Sequence, residues 1–142
     1  MTPRENGAIR VLVVEDEADY ADLLATWLRE DGYEVDTAVD GIEAFQHLQS
    51  SKPDVITLDM QMPRKGGVEF YRELKANHNL RDVPVIVLTG LTVDDRDVET
   101  FIRTFLDAPH LPMPDAYLEK PVEEGELLQV VRYSLRYSPV SA

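Results

Sequence analysis

The chain has 142 residues, 44% of them hydrophobic and 29% charged, proportions that suit one soluble domain with a single core. Its net charge of −13 opposes direct binding to DNA or RNA and favours divalent cations and basic protein surfaces as partners. No cysteine is present and no apolar run approaches the roughly 20 residues that cross a bilayer, so disulfides, thiolate metal sites, cysteine nucleophiles and membrane spans drop out, and a cytoplasmic location is expected.

Residues 1–8 carry no apolar signal segment and are expected to be an N-terminal extension. Ile9 to Val14 is a short β-branched run, the first predicted strand. Tyr20, Leu23, Leu24, Trp27 and Leu28 then recur at helical spacing, which predicts a helix from about Asp19 to Glu30. Asp31-Gly32 ends it, since glycine suits the left-handed position after a helix. Val35 to Val39 is a weaker second strand, and Asp40-Gly41 turns the chain into a short helix marked by Ile42, Phe45 and Leu48. Lys52-Pro53-Asp54 breaks that helix, and Val55 to Leu58 is the third strand. A third helix starts near Gly67 and carries Val68, Tyr71 and Leu74. Pro84 precedes the fourth strand, Val85 to Leu88. A fourth helix is expected from about Asp94, with Val98, Phe101, Ile102 and Phe105 on one face. Ala116 to Leu118 is a short fifth strand, and Leu127, Val130, Val131 and Leu135 mark a fifth helix. Residues 138–142 are expected to be a frayed tail.

Strand and helix alternate five times, and strands one, three and four are apolar throughout, as in strands covered on both faces. The pattern predicts an α/β fold: a doubly wound parallel sheet with helices on both sides. Working groups in such folds sit at the carboxyl ends of the strands. Strand one ends on Glu15-Asp16-Glu17, strand three on Asp59, strand four on Thr89-Gly90 and strand five on Glu119-Lys120-Pro121.

If those ends meet, carboxylates crowd. Two carboxylates about 4 Å apart repel by about 4 kcal/mol at an effective dielectric near 20. A cation relieves that, and hard oxygen ligands without sulfur or imidazole point to Mg²⁺, which keeps room for waters and phosphate oxygens. A carboxylate beside Mg²⁺ can attack phosphorus. Lys120 and the Thr89 hydroxyl can neutralise the oxygens of the transferring group, and Gly90 leaves room and offers an N–H. Each residue alone has an ordinary role: Glu15 and Asp16 as helix-capping acids, Asp59 in a turn, Thr89 in a loop, Lys120 on the surface. The joint placement favours the chemical reading.

These residues resemble the receiver domain of two-component response regulators. The motifs are VLVVEDE, the run from Asp59 through Met62, Pro63 and Gly67 to Glu69, PVIVLTG and YLEKP, and the resemblance covers residues 9–137. It implies a flavodoxin-like receiver fold, a five-stranded sheet in the order 2-1-3-4-5. It implies Asp59 as phosphoacceptor, Asp16 as a direct Mg²⁺ ligand, Glu15 acting mostly through water, and the Gln61 backbone carbonyl on the metal. Thr89 and Lys120 resemble the pair that holds the phosphoryl oxygens, and Tyr117 the switch aromatic. Pro121 matches a proline whose preceding peptide is often cis. The implied donor is a histidine kinase or histidine phosphotransfer protein, the implied output a downstream protein or a homodimer meeting the face formed by the fourth helix, fifth strand and fifth helix. Such a chain is a signalling phosphoacceptor that catalyses only its own phosphorylation and dephosphorylation.

The chain departs from the family between Thr89 and Lys120, where it runs about nine residues longer than a short connection requires. The excess falls at 105–115, and Pro109, Pro112 and Pro114 argue for a stiff loop there, neutral or reshaping the signalling face. His47, His78 and His110 lie in separate elements and suggest no metal site. No output domain is expected after the fifth helix. Rival chemistries fit less well. A haloacid-dehalogenase phosphatase needs an acid at Gln61, an FMN binder a hydroxyl-rich loop where Glu15-Asp16-Glu17 stands, and a dinucleotide binder a glycine motif there. A phosphorylation-independent interaction module on the same scaffold is the live alternative.

Overall fold

The computed structural model describes residues 8–60, 66–90 and 112–136. Five parallel strands form one sheet: β1 (Arg10–Val14), β2 (Glu34–Ala38), β3 (Val55–Asp59), β4 (Val85–Thr89) and β5 (Ala116–Glu119). Their order is β2-β1-β3-β4-β5, as the family resemblance implies. Four helices are described: α1 (Ala18–Glu30), α2 (Gly41–Ser50), α3 (Gly67–Ala76) and α4 (Glu124–Arg136), the last being the fifth of the predicted helices. The predicted fourth helix lies outside the described residues, as do Gln61, positions 105–111, and both termini apart from Ala8.

The strands are apolar on both sides because both sides are covered. In β1, Leu12 and Val14 face one core with Ile56, Leu58, Phe70 and Leu74, beneath α2 and α3. Val11 and Val13 face the other with Leu24, Leu28, Leu127 and Val131, beneath α1 and α4. This period of two on a doubly buried strand is what a continuous apolar run encodes.

Local signals set the helix ends. After α1, Gly32 takes a φ of 97°. Its N–H reaches the Arg29 carbonyl at 3.0 Å, and the Tyr33 N–H reaches the Leu28 carbonyl at 3.1 Å. These two bonds satisfy carbonyls the helix leaves open, at a backbone angle that suits glycine. Asp40 does more than turn the chain: it is the N-cap of α2, its carboxylate accepting the Glu43 N–H at 2.9 Å. Such a cap contributes about 1 kcal/mol.

Two apolar positions differ from expectation. Leu23 is 42% exposed and Ile42 is 48% exposed, although both fall in the predicted apolar stripes. The buried faces are narrower: Ala21, Leu24, Ala25 and Leu28 on α1, and Gly41, Ala44 and Leu48 on α2.

The described end of the proline-rich connection is tied to the body of the protein. The Tyr71 hydroxyl, on α3, donates to the Pro112 carbonyl at 2.6 Å. Burial pushes the Tyr71 phenol pKa far up, so it stays a donor. Among the described residues no helix is long and apolar enough to cross a membrane.

Candidate functional site

The sheet register brings the strand ends to one edge. Val14 pairs with Leu58, Asp59 with Leu88, and Thr89 with Glu119. The residue after β1 is therefore beside the end of β3, and the end of β4 is beside the residue before Lys120. The Lys120 N–H completes that edge on the Thr89 carbonyl at 2.8 Å.

Glu15, Asp16 and Asp59 each bring a carboxylate oxygen into one group, all within 4.8 Å of one another. Glu15 is 1% exposed and Asp59 4% exposed, while Asp16 is open to solvent. Neither Glu15 nor Asp16 is the N-cap of α1; Glu17 holds that position, and no side chain caps the helix. Glu15 instead accepts the Glu17 N–H at 3.2 Å with one oxygen and the Lys120 ammonium at 2.7 Å with the other. Lys120 also stands 3.4 Å from Asp59. Burial works against its charge, but the hydrogen bond to Glu15 and the charge of Asp59 outweigh it, and its pKa is raised.

Among the described residues one ammonium thus stands on two of three grouped carboxylates, so acids outnumber the cation there. All-oxygen ligands at this spacing suit a hard divalent cation, and Mg²⁺ fits the donor set better than zinc or a thiophilic metal.

The β3–α3 approach is tight. A Cβ on Gly67 would stand 2.8 Å from the Asp59 carbonyl oxygen and 3.0 Å from Met60 Cα, so the first turn of α3 needs glycine there to pack behind the acid. Gly90 is different: a Cβ would meet Lys120 Cβ and Cδ at 3.9 Å, an ordinary contact. Packing against the Lys120 stem therefore does not by itself require glycine at this position. The Lys120-Pro121 peptide is cis, as the resemblance implies.

Tyr117 stands on β5 opposite Val87 and is 46% exposed. Partial burial raises its phenol pKa. Of the predicted site residues, Glu15, Asp16, Asp59 and Lys120 form one group, Thr89 stands at the adjoining strand end, Tyr117 stands on β5 two residues before Glu119, and Gln61 is outside the described residues.

A model of the response regulator receiver domain matches residues 11–132. The chain belongs to the response-regulator receiver family. It is 41% identical over 128 residues to the transcriptional regulatory protein PrrA of Mycobacterium leprae (strain TN), covering 89% of this chain and 50% of the relative. The receiver spans about half the length of the curated relatives it matches. Among solved structures, the receiver domain of a signal transduction histidine kinase from Syntrophus aciditrophicus aligns with a TM-score of 0.79 at 33% identity, over 91% of each chain. The receiver domain of a sensor histidine kinase from Pseudomonas aeruginosa PAO1, which has magnesium coordinated in its active-site cleft, aligns with a TM-score of 0.78 at 28% identity, over 91% of this chain and 98% of that one.

Sequence reasoning missed one neighbour of Lys120. Tyr20, assigned to the apolar stripe of α1, lies with its ring centroid 4.8 Å from the Lys120 ammonium. The available signal was spacing: Tyr20 follows Asp16 by four positions, about one helical turn beyond the acids.

Proposed function

We propose that this receiver accepts a phosphoryl group on Asp59 from a phosphohistidine of a histidine kinase or histidine phosphotransfer protein. The observation that carries the reading is the meeting of three carboxylates within 4.8 Å with one lysine ammonium on two of them. The Asp59 carboxylate attacks phosphorus in line. An O–P bond forms, the P–N bond breaks, and the imidazole leaves and takes up a proton. Glu15, Asp16, Asp59 and the Gln61 carbonyl would hold Mg²⁺. When bound, the ion neutralises the acids and the phosphoryl oxygens. Lys120 exchanges its carboxylate partners for a phosphoryl oxygen, and the Thr89 hydroxyl takes another.

The switch in this reading is the one the family resemblance implies. Thr89 moves toward the phosphoryl group, and Tyr117, half out in solvent here, turns inward beside it. The gain in contacts biases an existing two-state equilibrium. The surface around β5 and α4 then changes its affinity for a downstream protein or a second copy. In this reading residues 9–137 are the receiver unit, it works in the cytoplasm, and its only chemistry is on its own aspartate.

Intact mass after incubation with acetyl phosphate tests this, with and without Mg²⁺, on the wild type and on Asp59→Ala. A single phosphoryl adduct is expected, dependent on Mg²⁺ and absent from the variant. An adduct that persists in Asp59→Ala would reject Asp59 as the acceptor, and no adduct from either acetyl phosphate or a phosphohistidine donor would favour a phosphorylation-independent module.

A further inference from the structure

Lys120 is held from two chemically different sides. On one side are the Glu15 carboxylate at 2.7 Å and Asp59 at 3.4 Å. On the other is the ring of Tyr20, with the ammonium 4.8 Å from its centroid. The same Tyr20 side chain has a second attachment: its hydroxyl accepts the Val122 N–H at 3.0 Å. Val122 lies two residues past Lys120, beyond the cis peptide at Pro121. One residue of α1 therefore touches both the working end of the lysine and the backbone that carries it.

The two sides behave differently as the reaction proceeds. The carboxylates are partners that Lys120 must give up, because a cation and a phosphoryl group compete for the same oxygens. The tyrosine ring is neutral and binds neither. Its quadrupole attracts an ammonium whichever anion the ammonium faces. A lysine held by carboxylates alone loses its restraint at the moment it is needed, and its flexible four-carbon stem then has many rotamers to explore. A lysine over a ring keeps one.

We propose that Tyr20 is a positioning residue for phosphoryl transfer, its ring keeping the Lys120 ammonium over the pocket while the lysine exchanges carboxylate for phosphoryl oxygen. The proposal rests on the phosphoacceptor reading above. It divides the labour within one side chain: the ring serves the ammonium, and the hydroxyl serves the loop from β5 to α4.

The test compares wild type, Tyr20→Phe and Tyr20→Leu in three measurements: the phosphorylation rate from acetyl phosphate at saturating Mg²⁺, Mg²⁺ affinity by calorimetry, and Tm. Tyr20→Leu is expected to slow phosphorylation by about tenfold, the scale of one desolvated cation–π contact. Its Mg²⁺ affinity is expected to stay close to wild type, because Tyr20 touches none of the acids. Tyr20→Phe keeps the ring and is expected to restore the rate while losing some Tm with the Val122 hydrogen bond. A Leu variant as fast as wild type would overturn the proposal. So would a Phe variant as slow as Leu, which would assign the effect to the hydroxyl. The ring's hold is also read without any phosphoryl transfer. The Lys120 ε-methylene NMR signals should be shifted upfield by the ring current in wild type and in Tyr20→Phe. Unshifted signals in the wild type sink the proposal whatever the kinetics, and shifted signals in a protein that takes no phosphoryl group would place the failure in the phosphoacceptor reading instead.

Discussion

Aspartates line both edges of the sheet, and they are employed in opposite ways. At the amino edge, Asp54 precedes β3 and Asp115 precedes β5. Asp54 donates its N–H to the Arg10 carbonyl at 2.8 Å and accepts the Arg10 N–H on its carboxylate at 2.8 Å. Asp115 repeats the arrangement on Val85, at 2.9 Å and 2.8 Å. Each aspartate closes a two-bond ring with the first residue of the neighbouring strand, so a backbone donor and a charge satisfy each other. At the carboxyl edge, Asp59 and Asp16 meet Glu15 instead, with Lys120 as the cation between two of the three. The same residue type ties strands where its partner is an amide, and in the proposed reading does chemistry where its partner is another acid. On the proposed function, the carboxyl edge gives up stability to keep a site for a cation and a phosphoryl group.

The largest expected effect tests how closely the carboxyl edge is built. Gly67→Ala places a Cβ against backbone atoms of Asp59 and Met60 at 2.8 and 3.0 Å, none of which can rotate away. Destabilisation of about 2 kcal/mol is expected, in the range of overpacking. Urea titration measures it. An unchanged midpoint would mean that the β3–α3 junction relaxes freely and that the acid is not held by backbone packing.

The amino edge should respond to a subtler change. Asp115→Ala removes a charged acceptor from the Val85 N–H and is expected to cost about 1.5 kcal/mol, and Asp54→Ala a similar amount through Arg10. Asp115→Asn keeps an acceptor oxygen and should recover most of the loss. If the Asn and Ala variants melt together, the carboxylate is not what holds the strand, and the contrast between the edges fails.

Much of this arrangement was legible before any coordinates. Strands β1, β3 and β4 were readable because burial on both faces leaves unbroken apolar runs such as Val85 to Leu88. Glu15, Asp16, Asp59 and Lys120 were readable because a parallel sheet sends every strand end to one edge. What stayed hidden were pairings between distant positions. Asp54 read as part of a helix break and Asp115 as the end of a loop, since nothing local says that each reaches a strand 44 or 30 residues away. Tyr20 read as core because helical spacing reveals which way a side chain faces and not what it meets. Ile42 and Leu23 read as buried for the same reason.

The smallest expected effect has the opposite sign to the other two and bears most directly on the comparison. Asp59→Asn removes one charge from the crowded edge. Carboxylate oxygens within 4.8 Å of each other repel by roughly 3 kcal/mol per pair at an effective dielectric near 20, and Asp59 has two such neighbours. Against this stands its attraction to Lys120 at 3.4 Å, but Lys120 keeps Glu15 as a partner at 2.7 Å. Solvent around Asp16 weakens the repulsion further. The balance favours the variant by about 1 kcal/mol, a rise in metal-free Tm of about 4 °C for a domain of this size. Saturating Mg²⁺ should reverse the order, because a cation binding the folded state stabilises the wild type through three carboxylates and the variant through two. A variant that melts below wild type without metal would show that Lys120 already balances the cluster, and the two edges would then differ in geometry alone.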